Sequence, residues 1–125
     1  MLGKTKNTAL PQGATIGILG GGQLGRMTAL AAARLGYKYH IFCQSLDEPA
    51  AQIANNKTIA SFEDTNALKD FSKKVDMVTL EFENIPLSSY KYLESILEVR
   101  PNSHTLSISQ DRVKEKNFIS DLDIP

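Results

Sequence analysis

Three glycines and two glutamates in this chain have the types and spacing that chemistry requires. Gly20, Gly22 and Gly25 form a GxGxxG pattern inside Leu19-Gly20-Gly21-Gly22-Gln23-Leu24-Gly25. Between a strand and a helix, Gly20 permits the tight turn, Gly22 lets a ligand approach the backbone, and Gly25 allows helix and strand to pack closely. The N–H groups of Gln23 and Leu24 would then point at a ligand, where the helix dipole favours an anion. Close packing of helix on strand, with no ligand, is the plainer use of the same glycines. Glu81 and Glu83 lie two apart in Glu81-Phe82-Glu83-Asn84. On a strand both face one side and Phe82 the other. A carboxylate at a strand end can accept hydrogen bonds from vicinal ribose hydroxyls, although most such pairs are ordinary surface charge. Nothing else suggests a sugar cleft, so the pair does not read as a glycosidase dyad.

The remaining candidates are thinner. A site of the NAD type wants an acidic residue at the end of the second strand, roughly twenty residues beyond the glycines, to bind a ribose 2′-hydroxyl. Cys43-Gln44 hold that place, Asp47 and Glu48 come late, and no Arg stands nearby for a 2′-phosphate. A nicotinamide cofactor is weakened by this, not removed. His40 lies in an apolar strand and His104 near a helix start, and both read as structural histidines. With no further His or Cys beside them, metal-ligand spacing is missing. Cys43 has neither a base partner nor an electropositive setting and does not read as a nucleophile. The cluster Asp111-Arg112, Lys114-Glu115-Lys116 is, on its face, a solvated helix side.

These residues need elements to hold them. Thr15–Leu19 is a short apolar run ending in three glycines, a buried strand entering a tight turn. From Gln23 to Leu35, Leu24, Met27, Ala31 and Leu35 recur at helical spacing and predict a core-facing stripe, closed by Gly36 as the glycine after the helix. Tyr37–Cys43 is the next strand, Pro49–Ala54 a short helix and Lys57–Ala60 a short strand. Asp64 caps a helix Thr65–Ser72. Val75–Phe82 is a strand ended by Asn84 and Pro86. Ser88–Leu97 follows as a helix with Tyr92, Leu93, Ile96 and Leu97 on one stripe. A short extended piece, Val99–Pro101, precedes a last helical stretch from about Leu106 to Leu122. This alternation predicts an α/β fold, a Rossmann-like, doubly wound, mainly parallel sheet with helices on both faces. Ligands of such sheets lie beyond the carboxyl ends of the strands at the switch point, so the glycine turn and the Glu81–Asn84 segment should meet there.

Composition sets the outer limits. The chain has 125 residues, and its 14 Lys+Arg against 14 Asp+Glu give no net charge. It lacks the basic excess that holds nucleic acid by counterion release. Hydrophobic residues at 42% and charged residues at 22% suit a single globular domain. A lone Cys43 forms neither an intramolecular disulfide nor a zinc pair, which fits a reducing, cytoplasmic setting. No apolar run approaches the ~20 residues of a membrane helix. Met1–Ala14 reads as a flexible lead-in.

Several segments together carry a resemblance. Ile16-Gly17-Ile18-Leu19-Gly20-Gly21-Gly22-Gln23-Leu24-Gly25-Arg26-Met27, Ala29-Leu30-Ala31-Ala32 and Arg34-Leu35-Gly36-Tyr37 come first. Glu48-Pro49-Ala50-Ala51-Gln52, Glu81-Phe82-Glu83-Asn84-Ile85-Pro86, Arg100-Pro101, Gln110-Asp111-Arg112 and Lys114-Glu115-Lys116 follow in order. From Thr15 to Pro125 the chain resembles the N-terminus of the 5-(carboxyamino)imidazole ribonucleotide synthases of the ATP-grasp superfamily, ligases of purine biosynthesis. The resemblance implies a pre-ATP-grasp domain over 15–103 and a linker helix over 104–125 toward an ATP-grasp domain. It implies that ATP activates bicarbonate to carboxyphosphate, which carboxylates aminoimidazole ribonucleotide and leaves ADP and phosphate. Gly22, Gln23 and Leu24 would face the ribonucleotide, with Glu81 and Glu83 as substrate-binding carboxylates and Arg112 reaching the ATP phosphates. That implied role separates Arg112 from its charged neighbours.

Mg²⁺ would be held by the ATP-grasp domain, in cis or in trans, and the complete enzyme would be a homodimer. Cys43-Gln44 replaces the family's usual Asp-Pro-like pair. The sequence stops at Asp123-Ile124-Pro125, where the family's chain continues, so these 125 residues alone are expected not to catalyse the reaction. Two other readings stand beside this one: a dinucleotide-binding oxidoreductase or regulatory module, and a non-catalytic interaction fragment.

Overall fold

The computed structural model describes residues 9–124. The lead-in expected over Met1–Ala14 lies outside the described residues as far as Thr8. Beyond it, Leu10 and Gly13 are tied to the end of the first helix, Tyr37 Oη donating to the Leu10 carbonyl and the Gly13 N–H to the Gly36 carbonyl.

Five parallel strands, β1 (Thr15–Leu19), β2 (Lys38–Cys43), β3 (Lys57–Ile59), β4 (Met77–Leu80) and β5 (Glu98–Val99), lie in the order β3-β2-β1-β4-β5. Strand order therefore reverses between β1 and β4, and the carboxyl ends of these two strands form the switch point. The helices are α1 (Gln23–Arg34), α2 (Pro49–Ile53), α3 (Thr65–Ser72), α4 (Leu87–Glu94), α5 (Ser103–Ser109) and α6 (Arg112–Asp121). The pleat divides the core. Ile18, Ile41 and Cys43 turn to one face and pack with Ala29, Ala50, Ala51 and Ala54 of α1, α2 and the end of α2. Leu19, Phe42 and Val78 turn to the other, where Leu68 and Phe71 of α3, Tyr90 and Leu93 of α4 and Leu106 of α5 close over them. The expected doubly wound α/β fold is what forms, and among the described residues every strand pairing is parallel.

Local chemistry set several boundaries as expected. Asp64 caps α3, its side chain accepting the Ala67 N–H at 3.0 Å. After α1, Gly36 takes φ +84°, its N–H bonds the Ala33 carbonyl, and the Tyr37 N–H bonds Ala32, closing the helix in a Schellman motif.

Three expectations fail on packing. The large apolar residues of α1 do not face the core: Leu24, Met27 and Leu35 are 60%, 56% and 65% exposed. The buried side is Gly25, Ala29 and Ala32, because α1 lies so close to the sheet that only small side chains fit between them. In α4 the buried residues are Ser89, Tyr90 and Leu93, and the helix stops at Glu94, leaving Ile96 exposed beyond it. The last helical stretch is two helices, broken at Gln110-Asp111, where the Asp111 carboxylate accepts the N–H groups of Val113 and Lys114 at 2.9 and 3.2 Å and starts α6 afresh.

Candidate functional site

The glycine turn sits at the switch point, between the ends of β1 and β4. Gly20 has φ +111°, a conformation other residues rarely adopt, and it turns the chain sharply out of β1. The turn is anchored on both sides. The Gly20 N–H donates to the Phe42 carbonyl at 2.8 Å, and the Gly21 carbonyl accepts the Ala50 N–H at 2.7 Å. Gly22 is the residue before α1, extended at φ −74° and ψ −168°, and it brings no capping side chain of its own.

The cap comes from β4. One further backbone bond, Glu81 N–H to the Leu19 carbonyl at 3.0 Å, continues the pairing of β1 with β4 and sets Glu81 beside Gly20. From there the Glu81 side chain crosses the turn. Its Oε1 accepts the Gly22 N–H at 2.7 Å and its Oε2 the Gly25 N–H at 2.5 Å. A carboxylate facing two amides of the first helical turn is charge-assisted hydrogen bonding in line with the helix dipole.

The structure thus brings together the glycine turn and Glu81, as the topology required, and corrects the detail. β4 ends at Leu80, so Glu81 and Glu83 are not strand neighbours sharing a face. Glu81 is half-buried and turned inward, whereas Glu83 is exposed on the following bend. Of the backbone expected to face a ligand, Gly22 is already bonded through its amide to Glu81, while the Gln23 and Leu24 amides are not among the partners of that carboxylate. The side chains of Gln23 and Leu24 are exposed at the start of α1. Arg112 is not drawn into this cluster: its side chain is 82% exposed, and its Nη1 lies 3.6 Å from Glu115 within α6.

Two contacts were missed from sequence. Gln110 donates from Nε2 to the Glu83 carbonyl at 2.7 Å and the Ile85 carbonyl at 2.6 Å, fastening the α5–α6 junction to the loop after β4. Glu48 accepts the N–H groups of Gln44 and Ser45 on Oε1 at 2.8 and 2.9 Å, closing the loop after β2 against Gly21. The signal for both was present, since each residue belongs to a segment that carries the family resemblance. The segments beginning at Glu48 and Glu81 meet at the glycine turn, and the one beginning at Gln110 is tied to the loop that follows Glu81.

The other titratable candidates stay structural. His40 bonds Thr58 Oγ1 at 2.8 Å and meets Phe71 edge-on; burial first, and the Lys74 charge second, hold its pKa down at about 4, so it is neutral at pH 7. His40 lines a cavity of about 390 Å³ with Thr15, Asn55, Asn56, Lys57 and Lys74, at the opposite, amino-terminal edge of the sheet. His104 is exposed on α5. The Cys43 thiol is buried, and burial followed by the nearby Glu48 charge pushes it up to about 11, which keeps it protonated and unreactive. Among the described residues no three or more His, Cys, Asp and Glu cluster closely enough to hold a metal ion by themselves. Nor is any helix among them long and apolar enough to cross a membrane.

Comparison with known proteins agrees with this fold. Residues 13–110 match the family model of the ribonucleotide synthetase preATP-grasp domain. A bifunctional purine synthesis protein of Dictyostelium discoideum is 52% identical over 116 residues, covering 93% of this chain and 12% of that protein. The crystal structure of the ADP complex of an N5-carboxyaminoimidazole ribonucleotide synthetase superposes with a TM-score of 0.90 at 40% identity, over 95% of this chain and 32% of that one. A synthase from Aspergillus clavatus, in complex with ADP and 5-aminoimidazole ribonucleotide, superposes with a TM-score of 0.80 at 27% identity, over 91% of this chain and 31% of that one. The chain therefore spans about a third or less of the length of these relatives. Matched from before β1 to the end of α5, with the glycine turn and its carboxylate at the switch point, the chain belongs to the ribonucleotide synthetase preATP-grasp domain family.

Proposed function

We propose that this chain is the ribonucleotide-binding N-terminal part of a cytoplasmic ATP-dependent carbon–nitrogen ligase of purine biosynthesis. The reaction joins bicarbonate, activated by ATP as carboxyphosphate, to the exocyclic amine of aminoimidazole ribonucleotide and releases ADP and phosphate. The observation that carries the reading is the Glu81 carboxylate, immobilised at the switch point by two backbone amides. Each of its oxygens has a second lone pair, so a held carboxylate can still accept from the vicinal hydroxyls of a ribose. Gly22 and the exposed Gln23 and Leu24 form the adjoining floor, and Glu83 the rim. Arg112, solvent-facing at the start of α6, serves the ATP phosphates. ATP and Mg²⁺ are bound chiefly by an ATP-grasp domain supplied in cis or in trans, and the assembled enzyme is a homodimer.

Two measurements test this. The 125-residue chain alone is expected to show no ATP hydrolysis dependent on aminoimidazole ribonucleotide and bicarbonate, and measurable turnover would overturn the division of labour. In enzyme assembled with an ATP-grasp domain, Glu81→Ala is expected to raise the KM for the ribonucleotide more than that for ATP. Equal changes in both, or in neither, would remove Glu81 from the substrate site.

A further inference from the structure

The pattern Gly20, Gly22, Gly25 has the sequence form of a pyrophosphate cradle, and the structure shows what fills it. We propose that Glu81 is a built-in occupant of the anion position at the start of α1. As such it is a specificity-determining residue that closes the turn to the pyrophosphate of a dinucleotide. The inference concerns a ligand the turn refuses, so it goes beyond the ribonucleotide reading and can fail without it.

The first support is hydrogen bonding. Gly22 and Gly25 flank Gln23 and Leu24, whose amides would meet a phosphate at such a turn, and both flanking amides donate to Glu81, at 2.7 and 2.5 Å. The second is shape. A Cβ at Gly20 would run into Glu81 Cγ, one at Gly22 would lie 2.5 Å from Oε1, and one at Gly25 would lie 2.9 Å from Oε2. All three glycines of the pattern thus clear space for this one side chain. The third is a second carboxylate on the other side of the turn, in the loop after β2. There Glu48 takes the Gln44 and Ser45 amides, and its Oε2 would stand 2.6 Å from a Cβ on Gly21. A pyrophosphate approaching the turn meets fixed carboxylates on two sides, and one of them, Glu81, already holds the Gly22 and Gly25 amides on either side of Gln23 and Leu24.

The test uses inorganic pyrophosphate as the probe, on the full chain, with Gly22 and Gly25 amide resonances and thermal midpoint as readouts. Wild type is expected to respond to neither pyrophosphate nor NADH at millimolar concentration. Glu81→Ala should bind pyrophosphate at least about tenfold more tightly than wild type, the equivalent of one charge-assisted hydrogen bond regained. The variant's thermal midpoint should rise with added pyrophosphate or acetate. Glu81→Gln keeps the volume and one acceptor oxygen, and should remain closed to pyrophosphate. A merely structural Glu81 would lower stability in the variants without creating an anion response.

Should Glu81→Ala fail to fold, hydrogen exchange on the wild-type chain decides the matter. The Gly22 and Gly25 amides should be protected although they open a helix, where amides are ordinarily unbonded. Rapid exchange at both, pyrophosphate shifts in wild type equal to those in Glu81→Ala, or no anion response in a folded Glu81→Ala would each overturn the proposal.

Discussion

The starts of α1 and α6 solve one problem in two ways. Each helix opens with amides that lack intrahelical partners. In α6 the partner is Asp111, the residue immediately before the helix, which bonds Val113 and Lys114. In α1 the residue before the helix is Gly22, which has no side chain, and the partner is Glu81, 59 residues away in sequence from Gly22. A local cap starts a helix and leaves its surroundings free, as the exposure of Arg112 shows. A remote cap also fixes the relative position of two chain segments, here the glycine turn and the loop after β4. Rigid placement is what a binding site needs, and the site proposed above coincides with the remote cap.

That contrast can be broken or sharpened by substitution, read as urea-unfolding free energy. Glu81→Ala is expected to have the largest effect, about 3 kcal/mol of lost stability, since two amides lose a charged acceptor together. A loss no greater than that of Asp111→Ala would erase the distinction between the two caps. Next comes Gly25→Ala. In an open helix this change gains up to about 1 kcal/mol, but here the new Cβ meets the Gly20 carbonyl at 2.8 Å and Glu81 Oε2 at 2.9 Å. A net loss of about 2 kcal/mol is expected, and a gain would show that the turn has room to relax. Asp111→Ala should cost about 1 kcal/mol, the ordinary value of a local cap. Arg112→Ala should change stability by less than about 0.5 kcal/mol, because its ion pair with Glu115 is long and largely solvated. A larger loss would mean that α6 is held in place more firmly than its exposure implies.

Much of the fold was legible because its signals are local. The glycine after α1, the Asp64 cap and the apolar strands β1, β2 and β4 each rest on residues within a turn or two of one another. The α1 stripe misled for a related reason. Periodicity finds where large apolar residues recur, and Leu24, Met27 and Leu35 do recur, but which side of a helix is buried depends on how near the sheet lies. With α1 close over Ile18 and Ile41, the tight side admits Gly25, Ala29 and Ala32 and leaves the leucines outside. The division of Leu106–Leu122 into two helices could have been read from Asp111, a good capping residue in mid-run.

The site divided along the same line. Residue types and motif order already singled out the glycine turn, Glu81 and the segments around Glu48 and Gln110, because a Gly-rich turn between strand and helix leaves a mark in consecutive residues. No sequence pattern could say that the Glu81 carboxylate lies across that turn, that Glu83 stays exposed beside it, or that Gln110 ties α5 to the loop after β4. These contacts join residues separated by 59, 56, 27 and 25 positions. The first two exist only once parallel pairing of β1 with β4 has brought the two strand ends side by side, and the last two only once α5 has packed against α4. The sequence determined which chemical groups the chain carries and which short elements hold them; the tertiary structure decided which of those groups remain free, since long-range pairing determines which donor meets which acceptor.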